Sequence, residues 1–414
     1  MIQDLISITH VFSRRIYGLR KRLRRMIRLL KSYKVEIKPT QEQIIKIHKT
    51  IGVSRFIYNF YIDHNKKIYE KEKKFISGID FSKWLNNEYI PNNQDKLWIK
   101  EVSSKATKQA IMNGDKAFKR FFKGLSRFPK FKKKKNQNVK AYFPKNGKTD
   151  WTIKRHKVKI PTLGWMRLKE FGYIPTNSKV KSGTVSQNIN RYYVSILVEE
   201  NNNTIKPINK GIGIDIGIKD FAICSNGMTF KNINKTSKIK KLEKKLKREE
   251  RKLSRKYESL KFKNKKKKGE ATGQNIQKQI VEVQKVYQRL SNIRTDYINK
   301  TINKIVKQKP SYITIEDLNV SRMMKNKHLA KAIAQQRFYE FITKLQYKCK
   351  LNNIELRVVD RFYPSSKTCS CCGAYKKELK LSDRVYRCNN CNTEIDKHLN
   401  ASINLANAKK YKIA

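Results

Sequence analysis

The chain has 414 residues, and its 96 Lys+Arg against 33 Asp+Glu give a formal net charge of +63. This length allows two to four folded units, and no apolar run is long enough to cross a membrane. Because so much positive charge opposes a compact state, we expect a polyanion to neutralise it, and nucleic acid fits best. Solvated or membrane-surface charge is the alternative, but aromatic residues are interleaved with the basic ones, as in "FKRFFKGLSRFPKFKKKK".

Residues 1–31 differ from the rest of the chain because their basic residues are mostly Arg rather than Lys. The early "LISITHVF" is short and lacks a basic flank on its N-terminal side, so we do not expect a signal peptide. One interpretation of this segment is a basic amphipathic helix that grips phosphates. We favour the other, an extension outside the native fold with translation starting at Met26.

A strand followed by helices is predicted next. "YKVEIKPT" alternates like a short strand that ends at Pro39, and Thr40 with Gln43 forms a predicted capping box. Helical periodicity then runs over 41–125. Its last helix has an apolar stripe that we expect in the core, formed by Ala110, Ala117, Phe118, Phe121 and Phe122.

Residues 126–205 change to a basic loop and several short strands, which predict a small β-barrel or sheet, and 201–207 is a linker. From Gly211 a second domain begins, with strand, turn and strand. Two long helices around the tip "KFKNKKKKGEATG" predict an antiparallel hairpin. The strands "YITIE" and "IELRVVD" then complete an α/β core with insertions.

The cysteine pattern is the most specific signal. Five of the seven cysteines fall within 23 residues, and four of these five form two Cys-x-x-Cys pairs with a 15-residue spacer. This spacing predicts a zinc ribbon, and four thiolates would leave a structural Zn²⁺ no open position. Cys371 makes the ligand register ambiguous, and Cys224 and Cys349 are expected in the core. The predicted ligands are Cys369, Cys372, Cys388 and Cys391.

Two isolated acids form the second signal. Asp215 lies in "GIGIDIGIKD" and Glu316 ends the apolar strand "YITIE". A single buried carboxylate is usually a satisfied structural group, but two at the ends of neighbouring strands favour paired Mg²⁺ ions for phosphodiester cleavage. Asp220 and Asp317 are secondary acids that we expect at the surface or in turns.

The motifs "GIDIGIKDFAICSNG", "IEDLNV", "KTCSCCG" and "CNNCNTEIDKHLNASINLA", in this order, resemble the TnpB proteins. These are transposon-encoded, OrfB-type transposases related to compact type V CRISPR effectors, and the resemblance covers residue 30 to the end. It implies an α/β multidomain fold with a RuvC-like (RNase H-like) nuclease domain and an inserted four-cysteine zinc ribbon. An N-terminal wedge β-barrel interrupted by a helical recognition lobe is implied as well.

The domain boundaries that follow are these: 1–31, extension; 32–40, first barrel strand; 41–125, recognition lobe; 126–205, wedge barrel; 206–414, nuclease domain, with a hairpin at about 235–308 and the ribbon at about 366–394.

The resemblance also implies a function. It predicts an RNA-guided DNA endonuclease linked to transposition and DNA recombination, which cuts guide-matched DNA beside a short adjacent motif. The implied cofactors are Zn²⁺, catalytic Mg²⁺ or Mn²⁺, and a guide RNA from the transposon end. The implied partners are this RNA and double-stranded target DNA, with no membrane, for a monomer with RNA in the prokaryotic cytoplasm at the nucleoid.

Asp215 matches the first catalytic acid of the family and Glu316 the second. The third is expected in the pattern Asp-Arg-Asp-x-Asn-Ala, where this chain has Asp396-Lys397-His398-Leu399-Asn400-Ala401. The position of the expected ligand is therefore His398.

Four interpretations of His398 remain open from sequence. The site is degenerate, which makes the protein a nuclease-impaired or nuclease-dead RNA-guided binder or repressor. Alternatively His398 ligates a metal, Asp396 replaces the missing acid after a register shift, or His398 is a solvated residue at a helix start. We favour the nuclease.

Phosphate contacts are predicted for basic residues in three regions, and each of these side chains could also be a solvated charge. The predicted contacts are Arg55, Arg127, Lys130, Lys132 and two neighbouring residues in the lysine-rich tip of the hairpin, Asn264 and Lys265. A basic protein that binds nucleic acid without a guide is the alternative from another functional class.

Overall fold

A computed structural model describes residues 28–133, 140–145, 151–201, 210–266, 273–380 and 383–414 of the chain. The chain divides into two compact units, Met1–Asn202 and Asn203–Ala414. Among the described residues, no helix combines the length and apolar character that a membrane span requires.

The first unit is built on a seven-stranded antiparallel sheet with the order β2-β6-β7-β1-β5-β4-β3. Alternating buried and exposed residues, as in "KVKI" of β4, place one face of the sheet on an aliphatic and aromatic core. The strands are β1 (Arg28–Lys38), β2 (Lys140–Pro144), β3 (Thr152–Ile153), β4 (Lys157–Ile160), β5 (Gly164–Leu168), β6 (Lys179–Asn188) and β7 (Arg191–Asn201).

The first strand begins earlier than predicted. Arg28 to Lys31 pair with the end of β7, so these residues of the predicted extension lie in the sheet. The rest of that extension, with Met26, lies outside the described residues, as do 134–139 and 146–150 of the predicted barrel and 202–209 of the linker.

Helices lie between β1 and β2. Thr40 and Gln43 form the predicted capping box at the start of the first helix. The core stripe predicted for the last of these helices is wrong at its C-terminal end, because Phe122 is 55% exposed. Ala110 and Phe118 of the same stripe are buried. The elements are α1 (Gln41–Glu72), α2 (Gly78–Trp84), a π-helical turn (Leu85–Tyr89), α3 (Ile90–Asn92), a 3-10 helix (Gln94–Glu101) and α4 (Ser104–Phe122).

The second unit has a six-stranded sheet with the order β10-β9-β8-β11-β12-β15. β11 runs parallel to both β8 and β12, and the other pairs are antiparallel. Its strands are β8 (Ile212–Ile216), β9 (Asp220–Cys224), β10 (Thr229–Lys231), β11 (Tyr312–Glu316), β12 (Glu355–Val359) and β15 (Lys412–Ile413); β13 (Val385–Arg387) and β14 (Glu394–Asp396) form a separate hairpin.

Two long helices form the predicted hairpin between β10 and β11, although its tip, 267–272, lies outside the described residues. Cys224 and Cys349 are buried in the core of this unit, as predicted. The helices of the unit are α5 (Ser237–Lys266), α6 (Gln274–Val306), α7 (Val320–Met323), α8 (Ala330–Gln336), α9 (Phe338–Leu351) and α10 (Lys397–Ala406).

Helix α10 packs directly on strand β8 at Gly213. A Cβ atom at this position would lie 1.9 Å from the carbonyl oxygen of Ser402 and 2.4 Å from the amide nitrogen of Ala406. Only glycine therefore lets the two backbones approach this closely. The contact sets where the first turn of α10 lies relative to β8.

Candidate functional site

The four predicted thiols converge. The Sγ atoms of Cys369 and Cys391 are 3.6 Å apart, those of Cys372 and Cys388 are 3.5 Å apart, and all four lie within 4.8 Å of one another. A tetrahedral ion with Zn–S bonds of about 2.3 Å requires S···S separations of about 3.8 Å. The four thiols therefore fit one tetrahedral metal ion, while the Cys371 side chain is exposed and is not part of the group.

The two cysteine knuckles have the same backbone design. The amide of Gly373 donates to the carbonyl of Cys369, and the amide of Asn392 donates to that of Cys388, both at 3.0 Å. Gly373 and Asn392 have φ values of 77° and 55°, which glycine and asparagine adopt more readily than other residues. Each second cysteine is thus followed by a left-handed residue that closes its turn.

The thiols of the cluster differ in acidity. The Thr393 hydroxyl, 3.1 Å from Sγ of Cys391, lowers the pKa of Cys391 to about 6. Burial raises the pKa of Cys369 to about 11. Because metal binding requires thiolates, an ion bound here must displace the proton of Cys369.

Asp215 and His398 meet although they are 183 residues apart in the chain. Asp215 lies on β8, His398 lies in the first turn of α10, and Nδ1 of His398 is 2.7 Å from Oδ2 of Asp215. The hydrogen bond with Asp215 raises the pKa of His398, and burial opposes this shift. Nε2 of His398 is buried without a hydrogen-bond partner. When Nδ1–H donates to Asp215, the neutral ring carries its lone pair on Nε2.

Glu316 ends β11, the parallel neighbour of β8. The carboxyl ends of adjacent parallel strands meet at one edge of a sheet, which is where α/β proteins bind ligands. Burial raises the pKa of Glu316 to about 7, and the nearby charges of Asp215 and Asp317 contribute to this rise. The structure therefore gathers Asp215, Glu316 and His398 at one edge.

These three side chains do not yet form a ligand set. Across the described ranges, the four thiols are the one group of three or more potential ligands whose atoms all lie within 4.8 Å of one another. Asp215 is instead engaged by His398. His398 brings a nitrogen donor to this edge, whereas Mg²⁺ favours oxygen ligands throughout.

Asp396, the predicted substitute acid, lies at the start of α10. Its Oδ1 accepts hydrogen bonds from the backbone amides of His398 at 2.9 Å and Leu399 at 3.0 Å, which makes it the N-cap of α10. The residue is exposed. An N-cap carboxylate satisfies two free amides and complements the helix dipole, so this geometry favours a capping role over a register shift.

The secondary acids have ordinary surroundings. Asp317 forms an exposed ion pair with Arg361 at 2.7 Å, as expected for a surface residue. Asp220 begins β9.

The predicted phosphate-binding residues separate into three groups. Arg127 and Lys130 are exposed in the loop after α4. The ammonium group of Lys132, however, lies 3.7 Å from the ring centroid of Tyr58, and Asn59 exchanges hydrogen bonds with the Lys132 backbone in both directions. Burial lowers the pKa of Lys132. Lys132 therefore anchors this loop on α1, and its phosphate contact stays a prediction.

Asn264 and Lys265 belong to α5, but their side chains lie outside the described part of the chain. Arg55 lies on α1 and lines a cleft with Lys49, Phe56 and Trp98. This cleft was not predicted from the sequence. The helical spacing of Lys49, Gly52 and Phe56 was the available signal, but Trp98 joins them only through tertiary packing.

Three family models match the chain. Residues 194–327 match OrfB_IS605, described as "Probable transposase", and residues 338–405 match the "Cas12f1-like, TNB domain". Residues 26–74 match a "Helix-turn-helix domain" of the OrfB_IS605 group. The described part of this last region consists of strand β1 followed by the single long helix α1.

Curated relatives match over most of the chain. InsQ of Escherichia coli (strain K12), named as a candidate RNA-guided DNA endonuclease, is 29% identical over 375 residues, which cover 87% of this chain and 87% of InsQ. A protein of Streptomyces pristinaespiralis with the same description is 28% identical over 383 residues, 92% of this chain and 89% of the relative. Among solved structures, Cas12f1 in a complex with sgRNA and target DNA matches 90% of this chain and 84% of Cas12f1, with a TM-score of 0.56 and 17% identity. This last match shows a shared fold.

Proposed function

We propose that the chain is a member of the TnpB family of OrfB-type proteins and a transposon-associated, RNA-guided, metal-dependent DNA endonuclease. The observation that carries the proposal is the placement of Asp215 and Glu316 at the same edge of parallel strands β8 and β11, close enough for Asp215 to raise the pKa of Glu316.

The domain organisation is proposed from the same premise. Helices α1 to α4 lie between β1 and β2 of one sheet, which supports a wedge barrel (32–40 and 126–205) interrupted by a recognition lobe (41–125). The mixed sheet of the second unit, with its acids at the edge, supports a RuvC-like nuclease domain over 206–414. Its insertions are the hairpin of α5 and α6 (about 235–308) and the thiol lobe (about 366–394), which supports a zinc ribbon.

Two kinds of metal site follow. The four cysteines would hold a structural Zn²⁺, because their Sγ separations suit a closed tetrahedral site. Asp215 and Glu316 would hold Mg²⁺ or Mn²⁺, which when bound activates water and stabilises the leaving oxygen of a phosphodiester. Glu316 must be ionised to take part, and burial raises its pKa to about 7, so we expect the cation to compete with the proton and activity to rise with pH.

The partners are proposed to be a guide RNA from the transposon end and double-stranded target DNA, bound by a monomer in the cytoplasm at the nucleoid. The net charge of +63 supports long phosphate contacts, to which exposed Arg127 and Lys130 contribute. Base pairing by the guide then supplies sequence specificity.

A second candidate function is favoured by one specific contact. The 2.7 Å hydrogen bond between His398 and Asp215 occupies a carboxylate oxygen that a cation would need. In this alternative the protein binds guide-matched DNA without cutting it, as an RNA-guided binder or repressor.

One experiment separates the two candidates. The chain is purified with its RNA, the RNA is sequenced, and a matched double-stranded target is supplied with Mg²⁺ and then with Mn²⁺. If the nuclease proposal is right, wild type cuts, preferentially with Mn²⁺, and Asp215→Asn lowers the rate by about 10³-fold or more because several kcal/mol of transition-state stabilisation are lost.

The His398→Asp variant is the matched probe. Restoring a carboxylate should raise Mg²⁺-supported cleavage by about 10- to 100-fold, the range typical of changes around a metal site. Tight target binding without cleavage by wild type under either ion, with cleavage by His398→Asp, would establish the binder. Absence of a defined co-purifying RNA would contradict both candidates and favour a basic protein that binds nucleic acid without a guide.

A further inference from the structure

A cleft in the first unit lies between helix α1 and the 3-10 helix Gln94–Glu101. We call it the Trp98 cleft, and its lining includes aromatic side chains, cationic side chains and a glycine. The residues that define it are Lys49, Gly52, Arg55, Phe56, Trp98 and Glu101. None of them belongs to the Asp215 site or to the thiol cluster.

Trp98 forms the aromatic wall. Its ring contacts the ring of Phe56 edge-on, with centroids 5.0 Å apart and planes at 64°, and the residue is still 37% exposed. Phe56 in turn stacks on Phe60 at 5.8 Å. Trp98 is thus held in place on one side while part of its surface stays available to a planar ligand.

Gly52 forms the floor. It lies within the long helix α1, where glycine is about 1 kcal/mol less favourable than alanine. A Cβ atom at this position would meet no heavy atom within 4 Å, so packing within the unit does not require a glycine here. The chain therefore carries a residue that disfavours the helix and keeps the cleft open.

Cations line one edge. The described arginines that form ion pairs are Arg191, Arg294, Arg337, Arg357, Arg361 and Arg387. Arg55 is not among them. Lys49 pairs with Glu101 at 2.6 Å, but both side chains are more than half exposed, at 57% and 52%. An exposed pair of this kind opens readily, so both cations can meet an anion.

We propose that the Trp98 cleft binds one unpaired nucleotide of the guide RNA, with its base stacked on Trp98 and its phosphate on Arg55 and Lys49. The inference rests on the proposed function, because it assigns a subsite to the guide. Aromatic rings and cations together are the chemistry that recognises unstacked nucleotides. RNA is the source because its single-stranded bases are unpaired from the outset, whereas a DNA base becomes unpaired only after the duplex has been opened, at a cost of a few kcal/mol.

The test uses the full chain and a labelled transcript of the RNA that co-purifies with it. Gly52→Leu fills the cleft and replaces a helix-disfavouring residue, so it should lower RNA affinity without lowering thermal stability. Trp98→Ala should lower affinity by about 5- to 150-fold, the range for loss of one base–aromatic stack, and Trp98→Phe should retain most of it. Tyr69→Ala, which removes another exposed aromatic ring from α1, is the matched control and should change affinity less than about twofold.

Ultraviolet crosslinking with mass spectrometry identifies the occupant. In the complex with RNA and a matched duplex, we expect the peptide that contains Trp98 to carry a ribonucleotide. A deoxyribonucleotide on that peptide, or unchanged RNA affinity in both Gly52→Leu and Trp98→Ala, would overturn the inference. Failure of wild type to bind any defined RNA would instead overturn the proposed function, so the two failures are distinguishable.

Discussion

Two clusters in the second unit reach their geometry by different routes. The four thiols come from two short turns whose members are three residues apart, and their Sγ atoms lie at distances that suit a metal. Asp215, Glu316 and His398 come from β8, β11 and α10, and among them a histidine–carboxylate hydrogen bond has formed. Local spacing determines the first cluster, whereas the second depends on how a helix packs on a sheet.

The largest expected effect concerns the thiol cluster. Cys388→Ser removes one of four ligands from a site whose apparent binding free energy is of order 10–16 kcal/mol, so the lobe around β13 and β14 should lose its metal and its order. Metal content per chain and amide hydrogen exchange over 366–394 measure this.

Cys371→Ser is the control for that variant, because the Cys371 side chain is exposed and outside the cluster. It should keep the metal. Full metal retention in Cys388→Ser, or loss in Cys371→Ser, would contradict the ligand set.

Gly213→Ala tests whether the second cluster depends on packing. The added Cβ would collide with backbone atoms of α10 at 1.9 and 2.4 Å, so we expect the free energy of unfolding to fall by about 3 kcal/mol. The Asp215–His398 contact should loosen while the thiol cluster keeps its metal. Thermal unfolding, metal content and the NMR titration of His398 measure these effects. Loss of the metal together with the Asp215–His398 contact would contradict the independence of the two clusters.

Glu316→Gln tests the buried acid by pH. The pKa of Glu316 is raised from 4.5 to about 7 in the folded chain, so folding favours its protonated form, and that stability is lost as the pH rises from about 4.5 through 7. Glutamine has no charge to bury, so the variant should be more stable than wild type by about 2 kcal/mol at pH 8, less than the full shift because the side chain is partly solvated. Cleavage should be lost.

The comparison is made by chemical denaturation at pH 4 and pH 8 without added Mg²⁺ or Mn²⁺. An equal difference in stability between Glu316→Gln and wild type at pH 4 and pH 8 would show that Glu316 is not buried as described. Asp317→Asn, which changes an exposed acid, should show a much smaller dependence on pH.

The smallest effect is expected for Asp396. Asp396→Ala removes an N-cap that accepts from two amides, which should lower the free energy of unfolding by about 1 kcal/mol, and Asp396→Asn should preserve the cap. Both variants should keep cleavage within a few-fold of wild type. A loss of about 100-fold or more in Asp396→Asn would make this carboxylate a metal ligand instead of a cap.

Several features were accessible from the sequence because they depend on residues that are neighbours in the chain. The capping box at Thr40, the two cysteine knuckles and the helical hairpin are of this kind. The family resemblance further predicted that Asp215, Glu316 and His398 are the site residues. The contact of Lys132 with the ring of Tyr58 was not predictable, because charge alone does not reveal a neighbouring ring.

By itself the sequence determined the basic character of the chain, its resemblance to the TnpB proteins and the cysteine spacing, since charge and local turn geometry do not depend on distant contacts. Tertiary structure decided that His398 turns Nδ1 to Asp215 and that Trp98 lines one cleft with Gly52 and Arg55. The physical reason is that each of these contacts depends on how a helix packs on its neighbours, as at Gly213, where β8 and α10 approach backbone to backbone.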